Sequence, residues 1–309
     1  MSQPVHRSGY VALVGRPNVG KSTLLNALLG EKVAAVSPKP QTTRNRIVGV
    51  YSEPNAQIVF LDTPGFHQPH SKLNTFMIDE AERALGDVDV IYFLVDFRPS
   101  GPVRVDPQDA ELAAHLQNRK SPQGRPVPVF LVVNKVDLLR QKAVLLPWMQ
   151  AYAELVPQAE VFPISALKGD GVEALRTLTL ERLPEGPAYY PPDIFTDQPE
   201  RFLAAEIIRE KVFLAARQEL PYATAVTVEA WTEEGGRLEI HATIHVERDS
   251  QKGIIIGKGG QMLKHIGSEA RQDLQKMIGA RIHLQLFVRV EPDWRQDGRA
   301  LRKLGYEEK

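Results

Sequence analysis

The chain has 309 residues, a formal net charge of zero and no cysteine. Its length favours two domains over one, and the missing cysteines exclude disulfides, cysteine-ligated zinc and thiol nucleophiles. Zero net charge gives no global field to announce a nucleic-acid or membrane partner, and 43% hydrophobic with 25% charged residues is ordinary for a soluble globular protein.

The polar N-terminus runs directly into VALVG and leaves no room for a signal-peptide core. The strongest apolar runs, such as VFLVV at 129–133, are strand-length and too short to span a membrane. From 9 to 183, short β-branched runs alternate with helical patterns. GYVALVG, RIVGVYS, QIVFLD, DVIYFLVD, VPVFLVVN and EVFPIS read as strands, most of them apolar on both faces. Helices are expected at about 21–30, 73–86, 107–119, 143–156 and 170–183. This is an α/β pattern, a mostly parallel sheet covered by helices on both faces. Five prolines between 184 and 199 then mark an extended linker. The expected domains are 1–183 and 199–309, with the linker at 184–198 between them.

The strand VALVG leads into GRPNVGKS at 15–22 and then into a helix, the G-x-x-x-x-G-K-S pattern of a phosphate loop. Backbone groups of Gly15, Asn18, Val19, Gly20, Lys21, Ser22 and Thr23 are expected to wrap a phosphate chain at a positive helix N-terminus. Lys21 should reach the β- and γ-phosphates, and the Ser22 hydroxyl should ligate magnesium. DTPG at 62–65 ends the strand QIVFLD, so Asp62 lies where ligands of parallel sheets bind. It is expected to hold magnesium through a water, while the Gly65 amide senses the γ-phosphate.

NKVD at 134–137 names the base. The Asp137 carboxylate can accept from the N1–H and 2-amino groups of guanine, and adenine offers neither donor. Asn134 is expected to brace this loop, and the stem of Lys135 to lie along the base. SAL, at Ser165, Ala166 and Leu167, offers the Ala166 amide to the guanine O6. PQTTR at 40–44 suits the loop that closes on magnesium and γ-phosphate, with Thr43 the preferred ligand and Thr42 the alternative. The catalytic assignment is therefore Lys21, Thr43 and Gly65, with Ser22, Thr43 and Asp62 at the metal. These elements in this order resemble the translation-factor-like class of P-loop GTPases. Q-T-T-R and D-T-P-G look like its branch serving ribosome assembly and tRNA modification.

The second half changes pattern. Helix 199–218 is amphipathic, with Asp197 and Glu200 placed like a capping box. Two strands, AVTVEAW and RLEIHATIHV, turn at Gly235 and Gly236. The glycine loop GIIIGKGG, helical stretches to about 278 and the strand RIHLQLFVRV follow. The order α-β-β-α-α-β, with Gly257-Lys258-Gly259-Gly260 between the middle helices, is similar to the α+β type II KH fold. KH domains clamp about four single-stranded nucleotides at such a turn. Between 248 and 281, seven basic residues face only Asp249, Glu269 and Asp273, a local excess of four charges. Lys252, Lys264 and Arg271 therefore join the tetrad as expected RNA contacts.

A G domain followed by one type II KH domain over this length resembles the Era family of GTPases. That resemblance implies binding to the 3′ end of 16S ribosomal RNA and a role in assembly of the 30S subunit; a monomer is expected, and the lack of cysteine fits the cytoplasm. The resemblance also allows peripheral association with the inner membrane and implies no DNA partner. One departure stands out. Phe66 occupies the place after the D-x-x-G glycine where many small GTPases carry a water-positioning glutamine. In GTPases that resemble this one, an asparagine at the Asn18 position helps hold potassium beside the phosphates. The reading is a magnesium-dependent GTPase with a potassium requirement to be tested. Its rival is an RNA-binding assembly protein that uses nucleotide as a structural ligand. A C-terminal protein-docking module is a third reading, which the basic tetrad region disfavours.

Overall fold

The strands of the first half are unusually uniform in what they bury. Every residue of AQIVFLD at Ala56–Asp62 is buried, as are six of the seven in VIYFLVD at Val90–Asp96. A strand apolar on both faces is stable only between two covering layers. The computed structural model describes residues 6–66, 70–96, 103–117, 119–121, 124–139, 142–216 and 220–306. Two compact units emerge. The first comprises Met1–Ala34, Thr43–Gln68 and Met77–Asp197, and the second Ala35–Thr42, Pro69–Phe76 and Gln198–Lys309.

In the first unit the strands are β1 (Arg7–Val14), β2 (Ile47–Glu53), β3 (Ala56–Asp62), β4 (Val90–Asp96), β5 (Val129–Asn134) and β6 (Glu160–Pro163). They lie in the order β2-β3-β1-β4-β5-β6, with only β2 antiparallel to its neighbour. Helix α1 (Lys21–Leu29) follows β1, α2 (Lys72–Ala84, of which only the part from Met77 on belongs to this unit) follows β3, and α3 (Pro107–Leu116) follows β4; α4 (Leu145–Ala153) and α5 (Val172–Arg182) flank β6. One face of the sheet, through Ala12, Val14, Phe93, Val95, Leu131 and Val133, packs with Leu112 of α3 and Trp148 and Tyr152 of α4. On the other face Tyr92 meets Thr179 of α5, which packs beside α1. The mostly parallel, doubly covered sheet is as expected. Its helices end earlier than the periodicity suggested, at Ala84, Leu116, Ala153 and Arg182. After α2, for example, Leu85 and Gly86 turn back three residues, to the carbonyls of Glu82 and Arg83.

The proline-rich stretch has no helix or strand, yet it is not a free spacer. The Gln57 side chain, 1% exposed, accepts from the Tyr189 and Tyr190 amides and donates to the Tyr190 carbonyl. The Val50 amide donates to Phe195 O, so this stretch is fastened along β2 and β3.

The second unit contains α6 (Glu200–Ala215), the hairpin β7 (Ala225–Glu234) and β8 (Arg237–Val246), then α7 (Asp249–Ile256), α8 (Gln261–Ile278), β9 (Arg281–Val290) and α9 (Gly298–Lys303). The sheet runs β7-β8-β9, antiparallel then parallel. Leu238, Ile240, Ala242, Ile244 and Val246 of β8 alternate onto the core face, where Ala204, Ile208 and Val212 of α6 meet Ile266, Ala270 and Leu274 of α8. Within the same unit the buried Arg209 guanidinium donates to its ion-pair partner Glu206 and to the Thr42 carbonyl.

One expectation fails here. The capping box is absent: α6 starts at Glu200 behind Pro199, with no side-chain cap, and Asp197 accepts from the Tyr190 hydroxyl. Pro199 has the extended backbone that suits a cap position, which moves the start beyond Asp197's reach. The last residues of the expected helix, 217 and 218, lie outside the described residues. The C-terminal helix α9 was not anticipated. Asp297 caps it, and the fully buried Trp294 just before it donates to the Ala223 carbonyl.

Candidate nucleotide site and nucleic-acid interface

Four chain segments reach the same edge of the first unit, because the sheet is parallel where they leave it. Residues 15–20 follow β1, 63–66 follow β3, 135–137 follow β5 and 164–167 follow β6. Leu13 pairs with Asp62 and Asp96 with Asn134, so adjacent strands end in step.

The loop 15–20 closes at Gly20, a left-handed residue that begins α1 without any side-chain cap. The first amides of α1 are thus left facing the loop. Lys21 is 6% exposed, and its ammonium donates to the carbonyls of Gly15 and Arg16, each at 3.0 Å. Burial pushes its pKa down to about 8, against the pull of Asp62 and Asp109. Gly65 has to be glycine: a Cβ there would lie 2.5 Å from the Pro17 nitrogen. This close approach lets the Phe66 amide donate to Gly15 O at 3.2 Å. Phe66 itself packs against the core of the unit.

Beneath the loop, Ser22 Oγ donates to Asp62 Oδ2 at 2.6 Å, and Thr43 Oγ1 lies 2.7 Å from Ser22 Oγ. Thr42 points elsewhere, to the Lys39 carbonyl at 2.8 Å. Asp62 is fully buried, and its Oδ1 has no hydrogen-bond partner. Burial raises its pKa to about 6, opposed by the Lys21 charge and by the Ser22 and Thr43 hydroxyls. An orphaned buried carboxylate oxygen beside two hydroxyls is a hard, all-oxygen donor set, and it fits magnesium. Thr23 follows as the third residue of α1 and is half-buried.

Asn134 braces the loops as expected. Its Nδ2 donates to Val19 O at 2.8 Å, and its Oδ1 accepts from the amides of Lys135 and Ala166. The Ala166 amide expected to face guanine O6 is therefore engaged by Asn134, at 2.9 Å, because a buried amide needs an acceptor. Asp137 is exposed, with Oδ1 held by the Ser165 hydroxyl at 2.6 Å. Leu167 is 73% exposed. The Lys135 ammonium reaches the Asn18 carbonyl at 2.6 Å.

In the second unit, residues 258–260 form a single 3₁₀ turn between α7 and α8. A Cβ at Gly259 or Gly260 would meet nothing within 4 Å, so the turn presents open backbone. A groove of about 460 Å³ runs from Gly260 along Lys264, Gly267 and Arg271 of α8 to Leu284 and Leu286 of β9. Gly260, Lys264 and Arg271 thus meet in one groove. Lys252 instead lines a different cleft, with His241, Phe287 and Arg289. Leu284 and Leu286 were missed because alternating apolar residues in an edge strand read only as core.

A family model described as "50S ribosome-binding GTPase" matches residues 10–135, and one described as "KH domain" matches 219–295. GTPase Era of Geobacter metallireducens is 53% identical over 308 residues, covering 99% of this chain and all of that protein. The chain belongs to the Era family of GTPases. GTPase Era of Lacticaseibacillus paracasei is 48% identical, with 98% of each chain covered. Two solved Era structures superpose with a TM-score of 0.89 over 98% of this chain. One is Aquifex aeolicus Era, 42% identical, in a variant bound to GDP and aluminium fluoride; the other, 43% identical, holds MgGDPNP and nucleotides 1506–1542 of 16S ribosomal RNA. Family membership makes the chain a GTPase with a C-terminal KH domain. The order of motifs around the first sheet and the G-x-x-G turn in the second unit are both in keeping with it.

Proposed function

We propose that this chain is a GTP-hydrolysing switch whose KH domain binds single-stranded RNA at the 3′ end of 16S ribosomal RNA and so serves assembly of the small subunit. The observation that carries the reading is the Ser22–Thr43–Asp62 cluster beneath the phosphate loop, in a chain that also has an open G-x-x-G turn beside a basic groove. The family description of the G domain names the large subunit. The relative solved with 16S ribosomal RNA spans both units and favours the small one.

In this reading Lys21 carries the charge that meets the β- and γ-phosphates. Ser22 and Thr43 would ligate magnesium directly, with Asp62 acting through a water. When bound, the ion neutralises charge building on the phosphate oxygens. The Gly65 amide faces the γ-phosphate, and Asp137 reads the guanine edge beside Ser165. Phe66 packs into the core, so orientation of the attacking water falls to backbone groups, to ions or to the ribosome. A potassium ion held at Asn18 is the ion we favour.

Single-turnover hydrolysis with and without small subunits separates the switch from the rival in which nucleotide is only structural. Acceleration by the subunit supports the switch, and a slow rate that the subunit leaves untouched supports the rival. Crosslinking followed by sequencing of the attached RNA tests the 3′-end assignment.

Among the described residues no helix is long and apolar enough to cross a membrane. We read the chain as a cytoplasmic monomer, and peripheral affinity for the inner membrane is what the family resemblance implies. Sedimentation alone and with anionic vesicles tests both parts.

A further inference from the structure

Asp96 ends β4 and pairs in register with Asn134 at the end of β5. Its two carboxylate oxygens go to two different loops. Oδ1 accepts from the Arg16 guanidinium at 3.0 Å, and Oδ2 accepts from the Lys135 ammonium at 2.6 Å. Lys135 in turn donates to the Asn18 carbonyl at 2.6 Å. Arg16, Asp96, Lys135 and Asn18 therefore close a ring, and the chain between residues 16 and 18 completes it. We infer that Asp96 is a positioning residue for nucleotide binding, a single carboxylate that fastens the phosphate loop to the guanine-reading loop. The inference rests on the reading of this edge as the guanine-nucleotide site.

The far side of Arg16 is already fixed. Its Nε donates to Asp109 at 2.8 Å, and a second nitrogen lies 3.3 Å from Asp106. Asp109 is itself held by the Tyr152 hydroxyl at 2.8 Å. Burial would lower the Arg16 pKa, yet the hydrogen bond to Asp109 and the charges of Asp109, Asp96 and Asp106 leave it raised. Arg16 is thus a rigid post, and Asp96 hangs Lys135 from it. With Asp96 and Asn18 both holding the ammonium, the aliphatic stem of Lys135 has a set path on which a purine ring can lie. Without Asp96 the ammonium keeps one fixed partner, and a flexible four-carbon stem is free to swing.

The three side chains are 17%, 23% and 32% exposed, so solvent screens the pair energies and the network adds little to folding stability. Its consequence is geometric, and nucleotide release should report it. Asp96→Asn keeps the shape and removes the charge. In the full-length protein, release of fluorescently labelled GDP should accelerate by about tenfold. Lys135→Ala should accelerate it comparably, and the double variant should release no faster than Lys135→Ala alone, because Asp96 acts through Lys135. Parental release from Asp96→Asn, or effects that multiply in the double variant, would overturn the inference. Should Asp96→Asn fail to fold, Arg16→Lys with and without Lys135→Ala gives the same two outcomes from the other side of the ring. The site reading is checked separately: a parent protein that bound no GDP would sink that reading, whatever Asp96 does.

Discussion

Thr43 Oγ1 lies 2.7 Å from Ser22 Oγ and 3.3 Å from Asp62 Oδ2, while the neighbouring Thr42 hydroxyl turns to a backbone carbonyl of its own loop. With Thr42 Oγ1 given to Lys39 O, Thr43 is the one of the two that serves the cluster. Thr43→Ala is expected to slow GTP hydrolysis by about 10–100-fold, or ~1.4–2.7 kcal/mol of barrier, and to raise the magnesium concentration needed for half-maximal rate. Thr42→Ala should stay within about twofold of the parent. Magnesium titrations of steady-state hydrolysis check both, and equal losses would remove Thr43 from its role.

The guanine assignment rests on Asp137, whose carboxylate is exposed beside Ser165. Asp137→Asn is expected to weaken GTP binding by about 100-fold or more, since one carboxylate acceptor becomes an amide donor set against a guanine N–H donor. Xanthosine triphosphate should gain, because its C2 carbonyl accepts from the new amide. Competition titrations of the two nucleotides measure this, and an unchanged GTP affinity would mean that the base is read elsewhere.

The residues expected to contact RNA divide between two surfaces. Lys258 with Gly259 stands at the open turn, and Lys264 and Arg271 line the groove that runs from it. Replacing Lys258 and Gly259 together with aspartates should cost at least about tenfold in affinity for single-stranded 3′-end RNA while GTP binding persists. Lys264→Ala should reduce the salt slope of binding by about 0.7, the share of one phosphate on a single strand. Lys252→Ala, in the other cleft, should change either quantity much less. Filter binding across a salt series separates these expectations.

Potassium is the least conventional element of the proposed mechanism. With Phe66 packed against the core, no side chain at that position can orient water. Hydrolysis is expected to run at least about tenfold faster in potassium than in sodium at equal ionic strength, a gain of ~1.4 kcal/mol. Asn18→Ala should erase the difference. Equal rates of the parent in both salts would leave water positioning to backbone groups or to the ribosome.

Much of this was legible in the residues. Parallel strands, apolar on both faces, show as short unbroken β-branched runs, and each phosphate- or base-reading motif sits directly after one of them. Such motifs survive translation into a sequence pattern because backbone geometry demands particular residues: at Gly65 no Cβ fits beside Pro17. Helix ends and the α6 cap were less legible, since they depend on which local hydrogen bond wins over one or two residues. The short helix α9 was invisible because six residues carry too little periodicity, and its anchor Trp294 owes its burial to a partner seventy-one positions away, at Ala223.

By itself the sequence supplied the motifs of the chain: the G-x-x-x-x-G-K-S loop, D-T-P-G, N-K-V-D and a G-x-x-G turn, in that order. Local spacing suffices for these, because each works through a few consecutive residues held at the end of one strand or between two helices. The tertiary structure alone decided which side chains share a space. It placed Thr43 rather than Thr42 with Ser22 and Asp62, engaged the Ala166 amide with Asn134, and separated Lys252 from the groove of Lys264 and Arg271. It also joined Arg16 to Lys135 through Asp96, three residues far apart in the chain that only the pairing of β4 with β5 and the return of the phosphate loop bring within hydrogen-bond reach.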